Sequence, residues 1–361
     1  MKAIPFPRLG GCLPRLLALP PTIAALSMVI LCSVEAGLVV PIDAFRDGLS
    51  LVKIEWQSNP GEWYAVESST NLLSAWVPAP SQPSPLLAVS NRTSVSVSLA
   101  NETAFFQVIQ MDPSPTNPEP DRLVWIPPGG FVMGSPESEV SHRADEAPTT
   151  RVGFSQGFFV GRHEVTQREY LAVMGTNPSR FTGDLDLPVE RVSWADATNY
   201  CALLTEWRTK AGLLAPGWEY RLPTEAQWEY ACRAGTTSAV AFGDRLSSVQ
   251  ANFNGTFPYN GSDQGPYLGR TVPVGSYPAN PWGLFDLHGN VWEWCLDWYS
   301  GRLPGGEVID PTGAETGTHR VLRGGSWLAI GQNCRSAFRI GLPADEIRDE
   351  DGFRVVLVLA R

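Results

Sequence analysis

The 361-residue chain lacks several features that would point to common classes of function. No two of its cysteines stand in a C-x-x-C spacing, which argues against a zinc site. Lys and Arg number 27 against 37 Asp and Glu, and no basic cluster is present to follow a phosphate backbone. No Ser/His/Asp order and no glycine-rich phosphate loop stand out either. Nucleic acid is therefore not expected as a partner, and we assign no catalytic residues from these motifs.

The N-terminus is typical of an export signal. Basic residues precede an apolar run over 16–34, and small residues end it at Ala36. This pattern predicts a signal peptide over 1–36, cleaved after Ala36, and a secreted, periplasmic or cell-surface protein. An uncleaved anchor is the alternative, but Pro20-Pro21 interrupts the run. After cleavage we expect no membrane association.

Composition divides the mature chain into two domains. Residues 37–111 contain short runs that alternate apolar and polar side chains, such as Leu51–Trp56 and Thr93–Leu99, which predicts a small all-β sandwich. It is similar to the fibronectin-type modules of exported bacterial proteins. Residues 112–121 carry alternate prolines and predict a semi-rigid linker. Residues 122–361 form the second predicted domain, which is rich in Trp, Gly and Pro. Its four cysteines allow up to two disulfides in three connectivities.

Three short helices are predicted inside the second domain. Thr166 and Glu169 form the sequence of a capping box for a helix that ends at Gly175. Thr224 and Gln227 do the same for a helix that ends at Gly235. Ser193 is the predicted N-cap of a third helix, whose residues Trp194, Ala197, Cys201 and Leu204 share one face.

A set of motifs in this domain resembles those of the sulfatase-modifying-factor family, whose founding activity is the formylglycine-generating enzyme. The motifs are Leu222-Pro-Thr-Glu225, Asp286-Leu-His-Gly-Asn-Val-Trp-Glu-Trp294, Arg323-Gly-Gly-Ser-Trp327 and Gly352-Phe-Arg-Val355, in the family's order. The resemblance runs from about Leu123 to Val358. It implies an α+β, C-type-lectin-like fold with much irregular structure.

The resemblance also implies bound calcium. In the resembling enzymes one structural calcium is held by an Asn or Asp, two backbone carbonyls and a Glu, which correspond here to Asp286, Gly289, Val291 and Glu293. Calcium accepts hard oxygen ligands in irregular loops, so this spacing suits it. The alternative is that Asp286 caps a turn and Glu293 pairs with an arginine. A second site would use Asn252 and Phe253, but Gly265 stands where that site needs an Asp, and Asp263 is the nearest acid.

The oxidase chemistry of the founding enzyme depends on copper(I) held by two cysteines five residues apart. Cys334 is in register with the first of them, whereas Arg339 stands five residues later. Arginine has donors only and cannot bind a cation, so copper is not expected. A related branch uses iron held by three histidines, with ligands supplied by a helical partner domain. This chain has four histidines, His142, His163, His288 and His319, but no such domain is recognised, so iron is not expected. Without the thiolate pair, Cys334 is interpreted as a small buried side chain.

Other family positions give further expectations. Trp292 matches an aromatic residue of the active groove, so Trp292 and Cys334 are the candidate groove residues. Trp194, Trp228 and Trp294 are predicted to be core residues. Arg323, Arg335 and Arg354 are expected to tie loops together rather than to bind substrate.

The sequence thus favours an exported, calcium-stabilised binding or accessory module for a peptide or small molecule. The alternative is an oxidase that converts a cysteine of exported sulfatases to formylglycine.

Overall fold

The computed structural model describes residue 119, residues 122–360 and the backbone of eight short strands between residues 30 and 110. The chain divides into two compact units, Met1–Pro113 and Ser114–Arg361. Most of the predicted linker, 112–121, and the predicted cleavage site lie outside the described residues. The division falls within the predicted linker, and the domain limits themselves stay a prediction.

In the first unit, the described strands form two paired groups. Strands β2, β3 and β7 form an antiparallel sheet, and β4 pairs antiparallel with β5, β6 and β8. Strand β1 lies within the predicted signal peptide and pairs in parallel with β8. The strands are β1 (Ile30–Cys32), β2 (Ile42–Asp47), β3 (Leu51–Gln57), β4 (Trp63–Ser69), β5 (Val77–Pro78), β6 (Leu86–Leu87), β7 (Arg92–Ser98) and β8 (Phe105–Gln110). Whether these strands pack as a sandwich stays a prediction.

The described residues of the second unit form three helices and three small sheets. Its strands are β9 (Leu123–Ile126), β10 (Gly129–Met133), β11 (Thr150–Phe154), β12 (Phe158–Gly161), β13 (Trp218–Arg221), β14 (Trp292–Trp298), β15 (Gly306–Ile309), β16 (Arg320–Arg323), β17 (Arg339–Leu342), β18 (Asp351–Gly352) and β19 (Val356–Leu359). Its helices are α1 (Gln167–Met174), α2 (Trp194–Lys210) and α3 (Glu225–Arg233), and short 3-10 turns cover Ala144–Glu146 and Gly331–Cys334. Long loops separate these elements.

The three sheets bring distant segments together. One sheet has the order β13-β19-β12-β9 and is antiparallel throughout. A second has the order β17-β16-β14-β18, in which β14 and β18 run parallel. The third is β10-β11-β15. The second sheet places the segment after Asp286 between the Arg-Gly-Gly-Ser motif and the Gly-Phe-Arg motif.

All three helices begin at the predicted N-caps. The side chains of Thr166, Ser193 and Thr224 each accept a hydrogen bond from the backbone N–H three residues later, and each position forms a full capping box. Helix α1 ends at Gly175 in the left-handed conformation, as predicted. Helix α3 ends one residue earlier than predicted, because Ala234 itself adopts the left-handed conformation. No described helix has the length and hydropathy needed to cross a bilayer.

Aromatic side chains fill much of the core of the second unit. Trp228 and Trp294 are fully buried, as predicted, and Trp194 packs partly buried against the same core. The indole N–H of Trp294 donates to the carbonyl of Val192, and that of Trp194 donates to the carbonyl of Cys295. These bonds satisfy the polar atoms that large buried aromatics carry.

Candidate functional site

The segment from Asp286 to Glu293 makes a tight turn and then enters strand β14. Asp286 and Asn290 both have left-handed backbone conformations, and Gly289 has a φ of 153°. A side chain at Gly289 would clash with the backbone oxygen of Asn252. Asn252 in turn accepts the backbone N–H of Asn290 at 2.8 Å. The glycine therefore permits close contact between the two segments that were predicted to hold calcium.

Glu293 is bound on both oxygens by protein donors. Arg354 donates from Nε to Oε2 and from Nη2 to Oε1, each at 2.6 Å, and Trp228 donates its indole N–H to Oε2 at 2.7 Å. Glu293 and Arg354 are both completely buried. This is the alternative arrangement in which Glu293 pairs with an arginine. A metal at Glu293 would have to share this carboxylate with Arg354, and the calcium role of Glu293 stays a prediction.

Asp286 lies beside a buried carboxyl group that the sequence did not indicate. Its Oδ2 accepts the backbone N–H of Gly275 at 2.6 Å, which agrees with a role in holding a turn. Burial raises the pKa of Asp286 to about 6. Glu164 is fully buried, and neither of its carboxylate oxygens receives a hydrogen bond. Burial and the nearby charges of Asp286 and Glu293 raise the pKa of Glu164 well above its usual value.

Asn252, from the second predicted calcium site, has an unused buried oxygen. Its Nδ2 donates to the carbonyl of Arg270 at 3.0 Å and to Oδ1 of Asn290 at 3.1 Å. Its Oδ1 is buried without a donor, and this is the atom that a cation would use. In residues 119 and 122–360, no three His, Cys, Asp or Glu side chains are arranged to hold a metal. Calcium here would therefore depend on Asn and backbone oxygens as well as carboxylates.

Cys334 is a free buried thiol, whereas Arg339 forms a buried ion pair. Cys334 is completely buried and unpaired, and burial raises the pKa of its thiol far above its usual value. Arg339 donates from Nε and Nη2 to the two oxygens of Glu225, each at 2.6 Å. The residue five positions before Cys334 is Ala329. No cysteine therefore stands five residues from Cys334 on either side.

His288 is the histidine nearest to Cys334 in the site, and it is held as a neutral ring. Its Nδ1 lies 2.8 Å from the carbonyl oxygen of Cys334, and its Nε2 accepts the backbone N–H of Ala241 at 3.0 Å. The Nδ1 atom must therefore carry the proton. Burial lowers the pKa of His288 to about 4. Both ring nitrogens are engaged, so this imidazole is structural and not a free base or metal ligand.

The arginines that were expected to tie loops together do so. Arg335 makes a bidentate ion pair with Glu146 at 2.6 and 2.8 Å and also donates to Glu139 at 2.6 Å. Arg323 pairs with Glu229 and donates to the carbonyls of Ser336 and Phe338. All three predicted arginines are fully buried. Nε of Arg323 makes no hydrogen bond in the described part of the chain but lies 3.2 Å from a carboxylate oxygen of Glu225. The other donors of these buried side chains are engaged within the fold, which leaves the arginines unsuited to bind a substrate.

The two candidate groove residues are both inside the molecule. Trp292 is 4% exposed and packs against Phe338 with ring centroids 6.0 Å apart, and Cys334 has no exposed surface. Exposed apolar side chains occur on loops instead, next to the buried ring of Trp327. Trp327 packs edge-on against Phe181 at 5.3 Å and parallel to Tyr267 at 6.4 Å.

We call Phe181, Tyr267, Leu268, Trp327 and Leu328 the aromatic surface. Tyr267, Leu268 and Leu328 are each at least 40% exposed, which is unusual for large apolar side chains that adjoin one another. The guanidinium groups of Arg180 and Arg270 lie 5.2 and 5.8 Å from the ring centroid of Phe181. An apolar surface flanked by cations can contact both apolar and acidic groups of a ligand.

A comparison with known families matches the part of the chain that carries these motifs. The model of the sulfatase-modifying factor enzyme 1-like domain matches residues 108–359. The chain belongs to this family. The match includes the whole range over which the sequence motifs resembled it and confirms that resemblance.

Three named proteins are similar to this chain. A formylglycine-generating enzyme of Streptomyces coelicolor is 40% identical over 185 residues, which cover 49% of this chain and 54% of that protein. A serine/threonine-protein kinase pkn1 of Chlamydia caviae is 30% identical over 287 residues, 71% of this chain and 41% of the kinase. The structure of PvdO from Pseudomonas aeruginosa is 30% identical with a TM-score of 0.54, covering 66% of this chain and 94% of that one. The chain spans about half the length of the two curated relatives.

Proposed function

We propose that this chain is an exported binding or accessory module of the sulfatase-modifying-factor family, without the copper chemistry of the founding enzyme. The observation that carries the proposal is the state of Cys334. Its thiol is buried and protonated at neutral pH, and no cysteine stands five residues away, the spacing of the copper-binding pair in the founding enzyme. Arg339 adds a fixed positive charge that is already paired with Glu225.

Calcium is part of the same proposal. It would stabilise the loop from Asp286 to Glu293 through Asp286 and the backbone carbonyls of Gly289 and Val291. Asn252 and the carbonyl of Phe253 would serve a second ion. The unused buried oxygen of Asn252 supports the second assignment, whereas the ion pair of Glu293 weakens one ligand of the first. Bound calcium would stabilise the fold here and would take no part in a reaction.

The aromatic surface is the proposed ligand contact. Its Tyr267, Leu268 and Leu328 are exposed, whereas the predicted groove residues are buried. A peptide or small molecule with an apolar group and a carboxylate fits its side chains and the nearby arginines. The name of the kinase-type relative suggests that such a domain also occurs attached to other activities, which is consistent with a binding role.

The oxidase remains the second candidate, because the Streptomyces relative with that name is 40% identical over the matched region. The two are separated by copper(I) titration of the purified chain and of Cys334→Ala under a competing chelator. We expect the same weak affinity for both proteins, since one buried thiol does not make a two-sulfur site. Clearly tighter binding by the wild type would favour the oxidase.

A further inference from the structure

Residues 136–143 form a surface loop between two segments that are bonded to each other. The backbone N–H of Ser135 donates to the carbonyl of Glu146 at 3.3 Å, and its hydroxyl donates to Oε2 of the same glutamate at 2.6 Å. Ser135 and Glu146 are buried, whereas no residue of 136–143 is. A loop with fixed ends and no buried side chain has low local stability. We call it the covering loop.

The covering loop lies against the short turn that contains Cys334. Arg335 donates from Nη2 to the carbonyl of Ser141 at 2.7 Å and from Nη1 to Glu139 at 2.6 Å. The hydroxyl of Ser141 donates to Oε1 of Gln332 at 3.2 Å. Because Gln332 and Arg335 flank Cys334 in the sequence, the covering loop is attached to the chain on both sides of the buried thiol.

The same loop reaches the aromatic part of the predicted groove. The guanidinium group of Arg143 lies 5.1 Å from the ring centroid of Phe338, and Phe338 packs against Trp292. Both of these aromatic side chains are only 4% exposed. One further attachment is the hydroxyl of Tyr259, which donates to the carbonyl of Val140 at 2.8 Å. The covering loop thus contacts the surroundings of both candidate groove residues.

These attachments can be broken without leaving a buried charge unpaired. When Glu139 and Ser141 leave, Arg335 keeps both carboxylate oxygens of Glu146, at 2.6 and 2.8 Å. The high cost of an uncompensated buried charge is therefore avoided. Ser141 has a φ of 63°, a conformation that side chains other than glycine rarely adopt. Release of the loop relieves this backbone strain, which lowers the cost of opening.

We propose that the covering loop is a lid, which opens about Ser135 and Glu146 and gives access to the groove of Trp292 and Cys334. The lid goes beyond the proposed function, because it adds a step of access and does not depend on the aromatic surface. Surface loops that close over a site in this way commonly control entry and release. Opening exposes a single thiol, so it does not create a two-sulfur copper site.

The test is thiol labelling of the purified full chain, resolved by site. The native protein is treated with iodoacetamide, and mass spectrometry of its peptides gives a labelling rate for each cysteine of the second unit. These four cysteines are all buried and free: Cys201, Cys232, Cys295 and Cys334. We expect Cys334 to react at least about tenfold faster than the other three, because a local opening costs less free energy than global unfolding.

Glu139→Ala removes one attachment of the covering loop. It should raise the labelling rate of Cys334 by about tenfold, the effect of losing one hydrogen bond to a charged group, and leave the other three rates unchanged. Glu137→Ala is the matched control, because Glu137 is exposed in the same loop, and its rates should equal those of the wild type. If Glu139→Ala does not fold, Gln332→Ala removes the bond from Ser141 at an exposed residue and takes its place.

Three results would overturn the lid. Equal rates at the four cysteines would show that Cys334 becomes accessible only when the whole domain unfolds. A fast rate at Cys334 that is the same in Glu139→Ala and Glu137→Ala would show that another route reaches the thiol. A rise at all four cysteines in Glu139→Ala would assign Glu139 to global stability. The copper titration, and with it the proposed function, is independent of all three.

Discussion

At the scale of single residues, Arg339 stands where a second copper-binding cysteine was sought, and it forms a buried ion pair with Glu225. Removal of one partner leaves a buried charge uncompensated, which typically costs about 3–5 kcal/mol. Arg339→Ala should therefore lower the free energy of unfolding by that order in urea denaturation. The control is Arg168→Ala, because Arg168 and Asp186 form an exposed pair at 3.0 Å, worth about 1 kcal/mol or less. Equal losses in the free energy of unfolding of the two variants would show that the buried pair stabilises the fold no more than the exposed pair does.

The residue scale also shows what sequence could and could not predict. The burial of Trp228 and Trp294 and the structural use of Arg323, Arg335 and Arg354 followed from residue type. The nearness of Glu164 to Asp286 did not, because it depends on how distant segments meet. The burial of Trp292 likewise depends on packing against residues such as Phe338, which no local pattern specifies. The burial of Cys334 was expected, because the thiolate pair is absent.

At the scale of elements, the starts of the helices could be predicted from the sequence, because a capping box involves residues only three positions apart. Thr166, Ser193 and Thr224 begin their helices where predicted. Thr166→Ala removes the bond to the N–H of Glu169 and should cost about 1 kcal/mol, whereas Thr166→Ser should retain most of it. Thr198→Ala is a control within helix α2, where the exposed hydroxyl donates to the carbonyl of Ala195 and caps no helix. If Thr166→Ala matched this control in thermal unfolding, the capping box would contribute nothing measurable.

Sheet order was beyond sequence reasoning. Strand β14 lies between β16 and β18, and these pairings join three of the four motifs that carried the family resemblance. Spacing along the chain does not show which strands pair, because the contacts form between segments far apart in sequence. The family resemblance supplied the fold class for this reason, and periodicity alone would not have done so.

At the scale of the whole molecule, the two-unit organisation predicts how proteases act. Exposed, proline-rich backbone is cut before folded backbone. Brief trypsin treatment should cut near Arg122 or in adjacent linker backbone and leave a fragment that covers 123–361 and melts cooperatively. Mass spectrometry identifies the first products. Early cleavage scattered through 160–330 would contradict an independently folded second domain.

The central claim concerns chemistry, and one measurement tests it most directly. The purified chain is incubated with copper(I), oxygen and a peptide of sequence Cys-x-Pro-x-Arg, and mass spectrometry follows conversion of the cysteine to the aldehyde. The buried thiol of Cys334 and the pairing of Arg339 with Glu225 predict no conversion above the Cys334→Ala background. Aldehyde formed at multiple turnovers by the wild type, and lost in Cys334→Ala, would show that the oxidase activity is retained.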